Sequence, residues 1–371
     1  MVFAFGLVSL FADMVYEGAR SLYGPALLAL GASAAVVGLV TGAGEAMALV
    51  LRLAAGPVAD RRGAHWSFTI VGYGLTAVCV PLLAVAPRFA AAGLLVGSAL
   101  ILLERAGKAI RSPSKSALLA YAAKAVGRGK GFGVHKALDQ IGAFAGPLLI
   151  AGVIAGTGSL WLGFAWLVVP AILAMVILFA IRHRVPDMSV YSPPDPTPDG
   201  GTANVSAAPA ASVTTPPVPW WRAALGAHLP RAFFAYAVAA ALTTAGLVTF
   251  AVITVHLTRD LGLTTAVIPL IYAGAMLVEA VAALFTGWGF DRLGARVLVV
   301  VPVLVALVPI LAFQSSWPLA LAGVAIWACA HGIQDSTIKA LVADLVPAGQ
   351  LAGAYGIFAA IQGSFAIVGG F

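Results

Sequence analysis

Long apolar windows, each closed by glycine, proline or charged residues, recur along the whole of this 371-residue chain. A helix that crosses a lipid bilayer needs about 20 predominantly apolar residues. Windows of that size predict eleven spans, and the last of them reaches the final residue. The predicted spans are residues 2–29, 34–56, 68–86, 89–110, 131–156, 160–182, 230–257, 264–287, 297–314, 318–336 and 352–371.

The composition supports this interpretation and excludes several classes of protein. Hydrophobic residues make up 61% of the chain and charged residues only 9%, whereas a soluble domain carries about 25% charged residues. So little polar surface excludes a cytosolic enzyme, a secreted disulfide scaffold and a disordered chain. Cys79 and Cys329 lie in apolar runs, so they predict neither a disulfide framework nor a thiolate metal site. The sequence predicts an all-α polytopic membrane protein.

The basic residues predict the orientation of the chain in the membrane. Fifteen Lys and Arg residues fall in one set of loops, whereas the opposite set holds only Arg88 and Arg259. Since cytoplasmic loops carry the excess of positive charge, the N-terminus and the 57–67, 111–130, 183–229 and 288–296 segments are predicted to be cytoplasmic in a bacterial inner membrane. The net charge of +7 results from this excess of Lys and Arg in one set of loops, so we expect no nucleic-acid partner.

Residues 183–229 differ in composition from the rest of the chain. They hold nine prolines between Pro186 and Pro219, mixed with Ser, Thr, Gly and Ala. Such a stretch cannot bury a core and is typical of a flexible linker. The chain is therefore predicted to divide into a six-helix bundle at 1–182, a cytoplasmic linker at 183–229 and a second bundle of about five helices at 230–371.

An internal repeat relates the two predicted bundles. Five residues of the loop after span two recur after span eight at a constant offset of 231, and a second similarity, with an offset of 223, links residues 117–133 to 340–356. Two similarities in the same order indicate a duplicated bundle, and such parallel repeats are typical of transporters. The matched residues of the first pair of loops are Gly56, Asp60, Arg61, Gly63 and Ala64 with Gly287, Asp291, Arg292, Gly294 and Ala295.

The pattern G-x-x-x-D-R-x-G, present in both loops, resembles the signature loop of the major facilitator superfamily. The resemblance implies two pseudo-symmetric six-helix bundles and signature loops that latch the cytoplasmic side during alternating access. Ser9, Asp13 and Glu17 in span one, with Glu104 and Arg105 in span four, resemble a bacterial branch whose substrates are mostly unassigned. The equivalent of span six, shifted by 223, would fall beyond Phe371, so we expect a chain truncated within helix 11.

Span five carries a pattern of small residues that resembles the antiporter motif of the same family. The pattern consists of Gly133, Gly142, Gly146 and Pro147, and the resemblance implies proton-driven export. In physical terms, the glycines allow close helix approach, and the proline removes a backbone hydrogen bond. Plain packing of small residues therefore remains an alternative interpretation of this motif.

Ionisable residues within the predicted spans are the candidate functional groups. Asp13, Glu17 and Arg20 lie at i, i+4 and i+7 and so share one helical face, which must point at a cavity or a partner because buried charge is costly in lipid. A carboxylate there can bind and release a proton as the cavity opens and closes. The alternative is a fixed salt-bridge network. The other candidates are Glu45, Arg105, Asp139 and Glu279.

These features predict a monomeric secondary transporter that exports a small molecule in exchange for protons. The sequence contains no phosphate-binding Gly-Lys-Ser/Thr loop, no nucleophile–base arrangement and no paired metal-ligand spacing among its six histidines, so we expect no enzyme activity, no cofactor and no metal site. Proton symport, metal-cation export and a non-transporting sensor on the same fold remain alternatives.

Overall fold

The computed structural model describes residues 1–123, 128–186, 229–346 and 351–370, and the regular elements in these ranges are helices. Two short 3-10 segments, Leu83–Ala92 and Gly294–Val299, connect longer helices. The α-helices are α1 (Val2–Ala29), α2 (Ala34–Arg62), α3 (His65–Leu82), α4 (Gly93–Ala123), α5 (Arg128–Thr157), α6 (Leu160–Trp166), α7 (Val168–Arg184), α8 (Arg231–Gly246), α9 (Phe250–Arg259), α10 (Val267–Leu293), α11 (Val300–Ala312), α12 (Trp317–Leu345) and α13 (Leu351–Gly370).

The surface of the bundle has the character of a lipid-facing wall. Seven helical stretches within the described ranges are long and apolar enough to cross a membrane, and two shorter apolar helices cover Arg296–Ala312 and Ile357–Ala366. Large apolar side chains such as Leu95, Leu284 and Phe285 are more than two-thirds exposed. A water-soluble protein does not present so much contiguous apolar surface, so the prediction of a polytopic helical membrane protein is confirmed.

Several helices continue beyond the apolar windows that predicted them. The segments 56–62 and 287–293, predicted as loops, are the last turns of α2 and α10, and α4 extends to Ala123. The prediction of loops at these places was wrong because hydropathy measures the length that fits the bilayer and not the length of the helix. The first turn of each signature motif is therefore helical.

Predicted span seven, 230–257, is not one continuous helix. It is divided into α8 and α9 by residues 247–249, where Leu247 and Thr249 have extended backbone angles. The indole Nε1 of Trp327 donates a hydrogen bond to the carbonyl oxygen of Val248 at 2.8 Å. Non-helical backbone at membrane depth is stable where such partners satisfy it or where it lines a cavity.

The same pattern of helix packing occurs in both parts of the chain. In the first part α1 packs on α5, and α4 packs on both α2 and α3; in the second part α8 packs on α13, and α12 packs on both α10 and α11. These pairs correspond to each other under the repeat found in the sequence. The chain therefore has the architecture of two pseudo-symmetric helical bundles.

The most extensive contacts between the two bundles are those of α2 with α13, α5 with α10, and α1 with α9. We call the end that carries Arg62, Lys115 and Arg184 the basic end, and the end at residues 29–34 the opposite end. Near the opposite end the hydroxyl oxygens of Thr41 and Thr249 lie 2.8 Å apart. Ala251 and Val255 of α9 belong to a buried cluster with the outer half of α1, so the bundles are closed against each other there.

Candidate functional site

A network of buried charges connects α1, α2 and α4 in the middle of the first bundle. The carboxylate oxygen Oε1 of Glu45 lies 2.9 Å from Nη2 of Arg20 and 3.1 Å from Nη1 of Arg105. Arg105, whose side chain is 3% exposed, also donates a hydrogen bond to the hydroxyl of Tyr16. One carboxylate thus serves two guanidinium groups, and it joins three helices.

The network continues across the interface into the second bundle. The hydroxyl of Tyr272 on α10 donates a hydrogen bond of 2.6 Å to Glu17, and Glu17 lies 3.7 Å from Arg20. His331 on α12 lies 3.0 Å from Glu279 through Nδ1 and 3.4 Å from Arg20 through Nε2. Arg20 is therefore in contact with residues of both bundles, so a change in their relative position must break or rearrange its contacts.

A cavity of about 180 Å³, which we call the central cavity, opens beside this network. The wall formed by the first bundle carries five residues of the charged types: Arg20, Glu45, Arg52, Arg105 and Lys108. The wall formed by the second bundle consists of neutral polar and apolar residues together with His331; among them are Thr244, Val248, Thr249, Trp327, Gln334 and Gln362. The broken helix between α8 and α9 thus contributes directly to the cavity.

A second cavity of about 160 Å³ lies next to the central cavity and contains the acidic residues Asp13, Glu17, Asp139 and Glu279. The carboxyl groups of Asp13 on α1 and Asp139 on α5 both face this cavity. Ser9 donates a hydrogen bond of 2.7 Å to Asp139, and Nζ of Lys115 lies 3.3 Å from the Ser9 hydroxyl. Two neighbouring carboxylates repel each other when both are ionised, which favours a proton on one of them.

Three side chains line both cavities and form the boundary between them: Arg20, Lys108 and His331. Lys108 lies over the ring of Tyr16, with its ammonium nitrogen 3.4 Å from the ring centre. A change in charge in one cavity therefore acts on groups that belong to the other.

The glycines of span five lie at the tightest helix contact of the first bundle. A side chain at Gly142 would overlap the backbone of Leu10, and one at Gly146 would overlap the backbone of Met14. Helix α1, with its acidic residues, is therefore held directly against α5. The described residues give Gly142, Gly146 and Pro147 a packing role, and the side-chain position of Gly133 lies outside what is described.

Replacing Gly146 with alanine should destabilise the protein, because the added methyl group forces α1 and α5 apart. Overpacking of this kind costs about 1–3 kcal/mol. Gly152, on the same helix, has open space where a side chain would lie, so Gly152→Ala is the matched control. Thermal unfolding in detergent measures both variants. Equal melting temperatures for the two would contradict a tight contact at Gly146.

Both signature motifs end in a glycine with left-handed backbone. Gly63 has φ of 57° and Gly294 has φ of 61°, a region that favours glycine over all other residues. The amide of Ala64 donates to the carbonyl of Ala59 at 3.0 Å, which closes the end of α2. These glycines therefore recur because each motif ends a helix in the same way.

The other residues of the signature motifs are described only in part. Arg292 stacks on the ring of Trp288 at 3.9 Å, and the position of a side chain at Gly56 lies 3.5 Å from Cβ of Pro113 on α4, which is an ordinary contact. The side chains of Asp60, Arg61 and Asp291, and that of Gly287, lie outside the described residues. The latch role implied by the family resemblance stays a prediction.

Several residues of the site escaped the sequence-based prediction. Arg52 lies seven residues after Glu45 and so shares its helical face, a signal that was available. Lys108 lies three residues after Arg105 in predicted span four, but nothing in its spacing places it in a cavity. Tyr16, Tyr272 and Trp327 are aromatic residues within apolar spans, so nothing in the sequence indicated that they form hydrogen bonds at the site.

Within the described residues no group of three or more His, Cys, Asp or Glu side chains converges as metal ligands would. The carboxylates of Glu17, Glu45, Glu279 and Asp139 each contact a hydroxyl, a cation or a histidine. The site is therefore organised by ion pairs and hydrogen bonds.

Comparison with known proteins agrees with this architecture. The family model for the Major Facilitator Superfamily matches residues 5–370. An uncharacterized protein of Mycobacterium bovis is 43% identical over 370 residues, which cover 100% of this chain and 84% of that protein. A mutant of the nucleoside transporter NupG superposes with a TM-score of 0.74 at 12% identity, covering 99% of this chain and 89% of that structure. A mutant of the peptide transporter POT gives 0.72 at 16% identity, with coverage of 100% and 87%.

The sequence identity to the solved structures is so low that these superpositions show a shared fold and nothing more. The family match, in contrast, extends over nearly the whole chain and agrees with the duplicated helix packing and the charged cavities between the bundles. It also confirms the prediction that the protein is a transporter and not an enzyme. The chain belongs to the major facilitator superfamily of secondary transporters and is a multi-pass membrane protein.

Proposed function

We propose that this protein exports a small molecule across the bacterial inner membrane in exchange for protons. The two bundles, 1–182 and 230–371, alternate around the central cavity within a single monomer. The N-terminus and the 183–229 linker lie on the cytoplasmic side, in accordance with the excess of Lys and Arg at the basic end.

The observation that carries proton coupling is the pair formed by Asp13 and Asp139. Both side chains line one cavity at the bundle interface, and two neighbouring carboxylates repel each other when both are ionised, which favours a proton on one of them. Opening of that cavity to water would favour loss of the proton, and its closure would favour retention. The pair can therefore bind or release a proton as the bundles move.

Proton binding and substrate binding are coupled by the residues that line both cavities. When the Asp13–Asp139 pair loses its proton, the added negative charge attracts Lys108 and Arg20. These cations then interact less with the contents of the central cavity. A shift of this kind changes substrate affinity in step with protonation, which is the requirement for coupled transport.

Direction of transport can be tested in proteoliposomes with the purified protein. Compounds that raise its melting temperature are first identified from a library, because a ligand that binds only the folded state stabilises it. Flux of each such compound is then measured with the interior acidic and with the interior alkaline. Proton antiport predicts that the compound accumulates on the acidic side, whereas accumulation on the alkaline side would mean symport. Flux that ignores the pH gradient would contradict proton coupling.

Alternating access predicts that locking the opposite end should stop transport. Thr41 and Thr249, whose hydroxyl oxygens are 2.8 Å apart, are replaced by cysteine in a background in which Cys79 and Cys329 are alanine. We expect the disulfide to form, because the positions are close enough for its geometry, and to abolish flux until a reductant is added. The single cysteine variants are the controls. Undiminished flux with complete cross-linking would rule out movement at this contact.

A further inference from the structure

The walls of the central cavity differ in charge in a way that indicates the class of substrate. The wall from the first bundle carries four cationic side chains and one carboxylate, Glu45. The wall from the second bundle carries no carboxylate among the residues that line the cavity, and its one ionisable group, His331, contacts Glu279. An excess of positive charge therefore remains on one side of the cavity.

The partners of these cations show where the excess lies. Arg20 and Arg105 share Glu45, and each has a second carboxylate at 3.7 Å, Glu17 and Glu104. Neither of these second carboxylates lines the central cavity. Glu104 is fully buried and receives hydrogen bonds of 3.4 Å from Tyr23 and Thr76. The two arginines are thus compensated from behind, away from the cavity.

Lys108 and Arg52, in contrast, have no carboxylate within ion-pair distance among the residues that the structure describes. Lys108 contacts the face of the Tyr16 ring. Nε of Arg52 is a buried donor without a hydrogen-bond partner, whereas Nε of Arg105 faces Glu104 at 3.7 Å. Buried donors are rarely left unpaired in folded proteins, so Lys108 and Arg52 are placed to receive an acceptor that enters the cavity.

We propose that the central cavity binds a small organic anion, whose carboxylate or phosphate group is held by Lys108 and Arg52. This inference rests on the proposed transport function and specifies its substrate class. A guanidinium group matches the geometry of carboxylate and phosphate oxygens, and the ammonium group adds a point charge.

The opposite wall fits the neutral part of such a molecule. Trp327 offers an aromatic surface that also stacks on His331, with ring centres 5.2 Å apart. Thr244 and Gln362, joined by a hydrogen bond of 3.2 Å, supply polar groups without charge. The cavity volume of about 180 Å³ lies below the roughly 300–1,000 Å³ of pockets for drug-sized ligands, so the anion is small.

Matched probes that differ only in charge test the proposal on the purified full-length chain. Benzoate, benzamide and benzylammonium share one ring and are anionic, neutral and cationic; phenyl phosphate, succinate and succinamide extend the series to phosphate and to a non-aromatic body. Thermal stabilisation measures binding of each probe. We expect shifts with the anions and none with their neutral or cationic counterparts. Phenyl phosphate and benzoate together distinguish a phosphate site from a carboxylate site.

Charge-removing variants connect the binding to the cavity. Lys108→Gln and Arg52→Gln are each expected to weaken binding of the effective anion by about tenfold, the loss typical of one charge-assisted hydrogen bond. Arg182 is exposed on α7 at the basic end, so Arg182→Gln removes the same charge outside the cavity and should leave the affinity unchanged. Equal stabilisation by charged and neutral probes, no stabilisation by any anion, or an equal loss in the Arg182 control would each overturn the proposal.

Failure of the substrate class and failure of the transport function remain distinguishable. Binding in detergent requires no movement of the bundles, so selective anion binding without flux in proteoliposomes would contradict transport alone. Flux of a neutral or cationic compound found in the library screen, without any anion binding, would contradict the substrate class alone.

Discussion

Replacing Asp13 with asparagine should abolish net transport driven by a pH gradient while substrate exchange continues. Asparagine keeps the size of the protonated acid and can donate a hydrogen bond to a neighbouring carboxylate, so the packing of α1 on α5 is expected to be retained. It cannot release a proton, however, and the cavity then keeps one charge state in every conformation. Net flux under a pH gradient and exchange of labelled for unlabelled substrate at equal pH measure the two activities in the same proteoliposomes.

Asp139→Asn should have the same effect, since the proton belongs to the pair and not to one residue. Asp260→Asn is the control: Asp260 is 65% exposed beside His256, and its variant removes a carboxylate without touching either cavity. Gradient-driven flux at the normal rate in the Asp13 variant would refute the coupling role of the pair. Loss of exchange as well as net flux would mean that Asp13 serves the structure or the conformational change, and coupling would then need another carboxylate.

The same three residues explain why protonation and substrate binding can be linked at all. Arg20, Lys108 and His331 line both cavities, so each of them experiences the charge of the acidic pair and of the substrate together. An anionic substrate and a deprotonated pair would compete for these cations. A protonated pair leaves these cations free for the anion, so proton binding and anion binding favour each other, which is the linkage of symport. For an anionic substrate, the flux measured under opposite pH gradients therefore decides between symport and the proposed exchange.

The fold could be predicted because its signals are local and repeated. Apolar windows marked the spans. The G-x-x-x-D-R-x-G pattern at a fixed offset indicated a duplication, and the equivalent packing of α4 and α12 in the two bundles agrees with it. The helix ends at Arg62 and Leu293 were placed too early, since the polar last turns leave the membrane without ceasing to be helical. The break at 247–249 was missed because no proline marks it; its stability comes from Trp327, which lies about 80 positions away.

The site could be predicted only in part, and the reason is again the distance along the chain. Asp13, Glu17 and Arg20 stand out because a charge in an apolar span is rare. Their partners Glu45, Asp139 and Tyr272 come from three other helices, and no spacing rule connects residues 126 positions apart, as Asp13 and Asp139 are, or 255 apart, as Glu17 and Tyr272 are. The distinction between a titrating carboxylate and one held in an ion pair depends on these partners, which is why Asp13 and Glu45 looked alike in the sequence and differ in the structure.

Glu45→Gln should destabilise the protein strongly, because two guanidinium groups lose the carboxylate that they share. Removing one partner of a buried ion pair costs about 3–5 kcal/mol; Glu45 is 28% exposed to the central cavity, so we expect a loss near the lower end. Glu45→Asp keeps the charge and should retain more of the stability, and Asp260→Asn again serves as the control. Thermal unfolding in detergent compares the three variants.

If Glu45→Gln has the same melting temperature as the native protein, the contacts of Arg20 and Arg105 do not hold α1, α2 and α4 together. The network would then be free to rearrange at little cost, and its role would be confined to the cavity. A large loss that Glu45→Asp restores would instead mean that transport must exchange these ion pairs for others of similar strength as the bundles move.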